Sequence, residues 1–394
     1  MRVAIAGGKL QGVEAAYLAR QAGWEVVLLD RDPLAPAAGL CDLFCQADLT
    51  RAQRLPGEAG RVDLIIPALE DREVLASLVE ISRRSGIPLA FDPSSYQVSS
   101  SKLTSDRLFS RWGVPAPRPW PQAGFPLVAK PSGASGSQGV QRLNSQLAYE
   151  YFLAGSGDSA RDWVFQEYLE GPSFSLEVMG CGGEFRSFQT TRLEMDLSHD
   201  CKRVLAPAGI TPGEDAQFRR ISEVIARNLN LTGIMDVEVI QSGGVFRVLE
   251  IDARLPSQTP TAVYRSTGVN LLELLAGVFL KGELPQLPGS AGERGVVYEH
   301  LRVSPGVLEV CGEHIMSGAG PLGYCRDFFG ADEAITSWSA GAPEWVATLI
   351  CSGPDLTGAW QKRCAVVREI MRHCSLEIYS DASPEGMKPF FDWS

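Results

Sequence analysis

The chain has 394 residues, with 45% hydrophobic and 21% charged residues and a formal net charge of -11. This length suits two or three domains. The acidic balance argues against nucleic acid as the main partner, and no apolar run is long enough to cross a bilayer. The apolar start at 2–6 is too short for a signal-peptide core, so the sequence reads as cytoplasmic. Nine cysteines without a Cys-x-x-Cys, the nearest pair being Cys41 and Cys45, argue against structural zinc and a disulfide framework.

From the N-terminus, short apolar runs alternate with helical patterns. Strands are expected at 2–6, 25–29, 63–67 and 88–91, with helices at 12–22 and 71–85. That order predicts an α/β unit with a parallel sheet over 1–95. The stretch 94–102 reads as a polar connection. A helical pattern from 103 gives way to Pro115, Pro117, Pro119 and Pro121, which mark an extended crossing into a new unit. Residues 125–170 read as strand, glycine loop, helix and strand; residues 171–254 read as antiparallel. A helical stretch covers 262–281. The last hundred residues hold several short strands and a helix at 358–373.

Two glycine loops invite a ligand. The first reads Gly7-Gly8-Lys9-Leu10-Gln11-Gly12, with Asp30 ending the next strand. A dinucleotide fingerprint needs glycine where Lys9 stands, because the backbone must approach a pyrophosphate there. An NAD-dependent oxidoreductase built on 1–95 is therefore weakened; a packing turn and a turn facing another ligand both remain open. The second loop follows Lys130 and contains Ser132, Gly133, Ser135, Gly136, Ser137, Gln138 and Gly139. Its N–H groups and hydroxyls suit phosphates, with the lysine as a fixed charge, although a flexible surface loop has the same composition.

The strongest signal is IMDVEVIQSGGVFRVLEIDAR at 234–254. Ser242-Gly243-Gly244 predicts a hairpin turn. Asp236 and Glu238 share one strand face, as do Glu250 and Asp252. Two carboxylates roughly 6.5 Å apart along a strand repel by roughly 2.5 kcal/mol at an effective dielectric of about 20. Such crowding calls for a cation, and oxygen ligands favour Mg²⁺ or Mn²⁺. Arg254 adds an anion-binding fork at the strand end.

Taken together, these stretches resemble the ATP-grasp ligases over about residues 1–290. The resemblance implies an ATP-grasp fold, α+β in its later part, behind a Rossmann-like domain at 1–95. The ATP-grasp domain would span 96–290, with a lid near 115–170, and 291–394 would complete its core. It also implies residue roles. Lys102, Lys130 and the loop residues Ser132, Gly133, Ser135, Ser137, Gln138 and Gly139 would contact ATP phosphates, and Gln166, Glu167, Tyr168 and Leu169 would line the adenine pocket. Ser173 stands near the place of a ribose-binding acid, so the ribose contacts depart from the pattern. Glu238, Glu250 and Asp252 would hold the metal, although most members have asparagine at the position of Asp252. Arg254, Lys130 and Asp236 would serve the chemistry. Ser175, Glu177, Asp236, Arg254 and Ser257 would meet substrate, with Glu177 and Asp236 holding ammonium groups. Lys9 and Gln11 would touch either nucleotide or amino acid.

Within that family, GGKLQGVEAAYLA, QEYLEGPSFSLEV and LEIDARLPSQTP are similar to the pyrrolysine-biosynthesis ligases. These join the carboxyl group of 3-methylornithine to the ε-amine of L-lysine through an acyl phosphate. The resemblance implies a homodimer, with another amino-acid or dipeptide ligase as the alternative activity.

Overall fold

The computed structural model describes residues 1–134, 136, 138–287, 292–384, 387 and 389–391. Near the N-terminus, β1 (Arg2–Ala6), β2 (Glu25–Asp30), β3 (Leu43–Gln46) and β4 (Leu64–Pro67) form a parallel sheet in the order β3-β2-β1-β4. Helix α1 (Leu10–Gln21) crosses from β1 to β2 and is buried from Gly12 to Ala19. A helix covered on that many sides needs small apolar residues, and VEAAYLA supplies them. Helix α2 (Arg72–Ser85) starts where the Asp71 carboxylate accepts the N–H groups of Glu73 and Val74.

Two expectations fail here. The run 88–91 makes only an isolated bridge between Leu89 and Ile65. Pro88 lacks a donor and Pro93 follows closely, so no ladder can extend. The stretch 94–102 is no mere connection: α3 (Pro93–Ser99) and α4 (Lys102–Trp112) occupy it. Asp92 caps α3, with Pro93 in its first turn, and Ser101 caps α4. The serines that look like a loop are caps and first turns.

A second, three-stranded sheet has the order β6-β5-β7, built from β5 (Leu127–Pro131), β6 (Gln141–Leu143) and β7 (Trp163–Glu167). Helix α5 (Gln146–Ser156) covers it, and Trp120, Phe125, Tyr149, Phe152, Trp163 and Phe165 pack into its small core.

The third sheet is large and antiparallel apart from one edge pairing. Its strands begin with β8 (Ser173–Cys181), β9 (Glu184–Ser187), β10 (Thr191–Met195) and β11 (Cys201–Ala206). After α6 (Pro212–Leu229) come β12 (Gly233–Ser242) and β13 (Val245–Asp252). The helical stretch expected at 262–281 divides into α7 (Thr259–Thr267) and α8 (Leu271–Lys281), because Gly268 ends the first with φ 78° and Asn270 caps the second. Beyond them lie β14 (Gly295–Ser304), β15 (Val307–Val310), the short α9 (His314–Ser317), β16 (Gly323–Phe328), β17 (Ala331–Thr336), β18 (Trp345–Gly353), α10 (Leu356–His373) and β19 (Ile378–Ser380). The main path runs β13-β12-β8-β10-β11-β14-β18-β17-β16. The strands after residue 291 therefore continue the sheet that carries the hairpin. Among the described residues, no helix is long and apolar enough to cross a membrane.

Candidate active site

The hairpin forms as its sequence predicts. Ser242 pairs with Val245, and Gly243 and Gly244 turn with φ 60° and 76°. Asp236 lies opposite Asp252, and Glu238 opposite Glu250. A bulge after Glu238 shifts the register so that Val239 meets Val248, and this offset is what brings Glu250 into line with Glu238. The closest carboxylate neighbours are thus across the strands rather than along them.

The charges respond to this crowding. Burial, then Glu250 and Asp236, hold the Glu238 carboxyl well above its usual range. Burial also works to raise Glu250, but Lys102 and Lys130 overcome it and hold that carboxyl low. Lys102 Nζ lies 2.7 Å from Glu250 Oε2 and donates to the Ala134 carbonyl at 2.6 Å. Burial lowers the Lys130 ammonium despite the attraction of Glu250. Asp106, one turn after Lys102 on α4, is pushed up to about 6 by burial, against the pull of Lys130 and Lys102.

Among the described residues, no three Asp, Glu, His or Cys side chains form a group that could hold a metal ion. The facing pair Glu238 and Glu250 fits Mg²⁺ nevertheless, since this ion commonly takes one or two protein carboxylates and completes its shell with phosphates and water. Asp252 is held elsewhere. Its Oδ2 lies 2.5 Å from Arg254 Nη2, which also pairs with Glu70 after β4. Burial raises Asp252 to about 7 even beside Arg254.

Four cavities converge here. One of about 200 Å³ lies between the three-stranded sheet and the hairpin, lined by Lys102, Lys130, Gln138, Gln166, Glu167, Tyr168, Leu169, Ser173, Glu238 and Glu250. Lys102, Lys130 and Gln138 thus share one space with the segment Gln166–Leu169. The Glu167 carboxylate is already engaged, accepting from Arg118 N at 2.9 Å and Nε at 2.7 Å. Met195, His199, Leu249 and Met387 also line this cavity. Ser132 and Gly133 line a smaller space of about 70 Å³ beside Lys102 and Asp252. Gly139 turns with φ 75° against Pro131. Ser135 and Ser137 lie outside the described residues.

A cavity of about 420 Å³ opens at the glycine turn. Lys9 and Gln11 line it rather than the lysine-lined space, together with Arg254, Ser257, Glu313 and His314. The Gly8 N–H donates to Asp30 Oδ2 at 2.6 Å. Asp30 therefore shapes the turn, in the place where a dinucleotide unit would hold ribose. Asp30, Asp48, Glu70 and Asp71 make this cavity acidic. A fourth space, about 110 Å³, joins the others and is lined by Asp236, Glu238, Glu250, Asp252, Arg254 and Ser257.

Ser175 and Glu177 are fully buried and line none of these four cavities. Ser175 donates to Asp236. Glu177 has no hydrogen bond at either carboxylate oxygen and is raised to about 7 by burial. Glu177 lies opposite Asp236 across β8 and β12, and its charge works to raise Asp236. Sequence reading missed Glu70, Asp200, Glu313 and His314, which reach the site from separate turns.

The fold and these paired cavities define an ATP-grasp enzyme. An ATP-grasp domain model matches residues 99–258, and the chain superposes on a biotin carboxylase–β,γ-ATP complex from Campylobacter jejuni with a TM-score of 0.69, 14% identity and coverage of 93% of this chain and 91% of that one. The chain is 36% identical to the 3-methyl-D-ornithine–L-lysine ligase of Methanosarcina barkeri over 92% of its own length and 95% of the relative. It is also 36% identical to that of Methanosarcina mazei, over 80% and 82%. The chain belongs to the 3-methyl-D-ornithine–L-lysine ligase family. ATP-grasp enzymes of this kind are ATP-dependent ligases that form C–N bonds, so the oxidoreductase alternative falls away.

Proposed function

We propose that the protein uses ATP to join the carboxyl group of 3-methyl-D-ornithine to the ε-amine of L-lysine, releasing ADP and phosphate. The observation that carries this reading is a lysine-lined cavity joined to a separate acidic cavity through the space lined by Glu238, Glu250 and Arg254. Nucleotide would lie in the first, between Lys102, Lys130 and the segment Gln166–Leu169. Mg²⁺, or Mn²⁺ in its place, would bind at Glu238 and Glu250 and offset phosphate charge. Asp252 would stay with Arg254, or turn to the metal once phosphates arrive. The amino acids would enter beside the glycine turn, where acids outnumber bases and suit two ammonium-bearing molecules. The methylornithine carboxylate attacks the γ-phosphorus, the acyl phosphate forms near Arg254, and Arg254 stabilises the charge that develops there.

The same reading assigns 1–95 to substrate, 96–290 to nucleotide, with the small sheet as a lid, and 291–394 to completing the core. A cytoplasmic homodimer is the proposed working form; sizing in solution tests the assembly. One incubation with ATP, Mg²⁺, 3-methyl-D-ornithine and L-lysine tests the reaction. ADP release that needs both amino acids, with a product of the condensed mass, supports it. ADP release indifferent to either, or condensation of another pair only, overturns the assignment.

A further inference from the structure

The acidic cavity poses a chemical problem. Carboxylates that attract an ammonium group also hold its proton, yet an amine must lose that proton before it can attack an acyl carbon. A proton acceptor is needed where the two cavities meet. Among the described residues, His314 is the one histidine lining the acidic cavity, while His199 lines the lysine-lined cavity and the space that joins the two.

His314 is built into place. Its Nδ1 lies 2.6 Å from Asp200 Oδ2, and its backbone N–H donates to the same oxygen at 3.0 Å. Asp200 sits in the turn between β10 and β11, where Asp200 N donates to Asp196 Oδ1 at 3.1 Å. Gly312 makes room for it, since a Cβ there would fall 2.0 Å from Asp200 Oδ2. With Nδ1 engaged, Nε2 is the free edge. That edge faces the phosphate loop, for a Cβ on Gly136 would lie 3.1 Å from Nε2. Gly136 and Glu313 line both the cavity at the glycine turn and the acidic space beside the hairpin, as do Arg254 and Ser257. His314 therefore lies on the acidic-cavity side of the junction, next in sequence to Glu313 and lining the same cavity as Arg254. Asp200, Asp196 and Glu313 face the ring as negative charges, and the hydrogen bond with Asp200 leads in holding the imidazole above its ordinary range. Lys9, Arg31 and Arg254 are the cations lining the same cavity.

We propose that His314, oriented by Asp200, is the base that takes the proton from the ε-ammonium of the attacking lysine. This rests on the ligase reading above. One ammonium proton passes to His314 Nε2 and on to water. The nitrogen lone pair then forms the C–N bond, the C–O bond to phosphorus breaks, and the second proton leaves with the departing phosphate. Asp200 holds the ring so that Nε2 accepts, the orienting role of a carboxylate behind a histidine.

Hydroxylamine separates the two halves of the reaction, because its nitrogen is unprotonated at neutral pH and needs no base. Wild-type protein, His314→Gln and Asp200→Asn are each given ATP, Mg²⁺ and 3-methyl-D-ornithine with either L-lysine or hydroxylamine. The expected result for His314→Gln is a loss of lysine-dependent turnover of roughly 10²-fold or more, with hydroxamate formation within about threefold of wild type. Asp200→Asn should show the same split at smaller size. Equal loss with both nucleophiles, or unchanged lysine turnover, overturns the role of His314. Absence of hydroxamate from the wild-type protein instead removes the acyl phosphate, and the ligase reading with it. Hydroxamate formation also reports that each variant is folded.

Discussion

Lys102 holds the carboxylate of Glu250 at 2.7 Å, and that carboxylate is also half of the facing pair with Glu238. A cation on Glu250 must therefore compete with an ammonium group already in place. Free Mn²⁺ should bind the nucleotide-free protein weakly, and Lys102→Met should tighten that binding while raising the KM for ATP. Mn²⁺ titration followed by electron paramagnetic resonance reads the first effect. Metal affinity unchanged in the variant would sink the competition. Glu250→Gln should cut kcat by roughly 10²–10³-fold, as loss of a charge-positioning group does.

Arg254 ties the hairpin to the first sheet through Glu70. Glu70→Gln should loosen the arginine on the amino-acid side only. We expect the KM for the amino acids to rise about tenfold, with the KM for ATP unchanged. A matching rise in both constants would show that the pair does not separate the two cavities. Arg254→Met should cost roughly 10²-fold or more in kcat.

Glu14 makes stability depend on pH. It is buried in α1, accepts the Thr261 N–H of α7 at 2.6 Å, and is raised by burial from 4.5 to about 7. The folded protein thus keeps a proton that the unfolded chain releases near 4.5. Folding takes up that proton between the two values, so stability falls as pH rises through the window. Glu177 and Asp252, both raised to about 7, act in the same direction. Glu14→Gln keeps an acceptor for Thr261 and removes the titration. It should exceed wild type in stability above pH 7 by up to about 3 kcal/mol and match it near pH 4.5. Chemical unfolding across that range checks the slope.

Met387 reaches the lysine-lined cavity, and the preceding segment is anchored by Asp381, which pairs with Arg203 and Lys202 at 2.6 Å each. Arg203 is buried among Glu194, Glu299 and Asp381. Ending the chain after Pro384, which removes Met387 and keeps Asp381, should raise the KM for ATP with little change in the KM for lysine. Arg203→Met strands buried acids and should cost about 3–5 kcal/mol of stability. Steady-state kinetics and thermal melts distinguish the two effects.

Parts of this design are plain in the sequence because they are local. The glycine turn, α1 and the hairpin each announce themselves through spacing within about thirty residues. The lysines Lys102 and Lys130 and the segment Gln166–Leu169 do gather around one cavity. Other parts depend on partners too distant to infer. Asp200 and His314 are 114 positions apart and meet only because β11 and β14 pair. Lys202 and Arg203 look like surface charges until their acids arrive from Glu299 and Asp381. Strand β3 is only four residues long, too short for its alternation to stand out.

The pairing of β11 with β14, from Arg203 opposite Glu299 to Ala206 opposite Val296, has a practical consequence for anyone dissecting the enzyme. A fragment cut near 290 would carry both glycine loops and the whole acidic hairpin, yet β11 would become a raw sheet edge with Arg203 facing missing acids. Such a fragment should aggregate or recruit foreign strands rather than bind nucleotide. The strands after residue 291 continue the sheet that carries the hairpin, so supplying residues 291–394 in trans should restore solubility before it restores turnover.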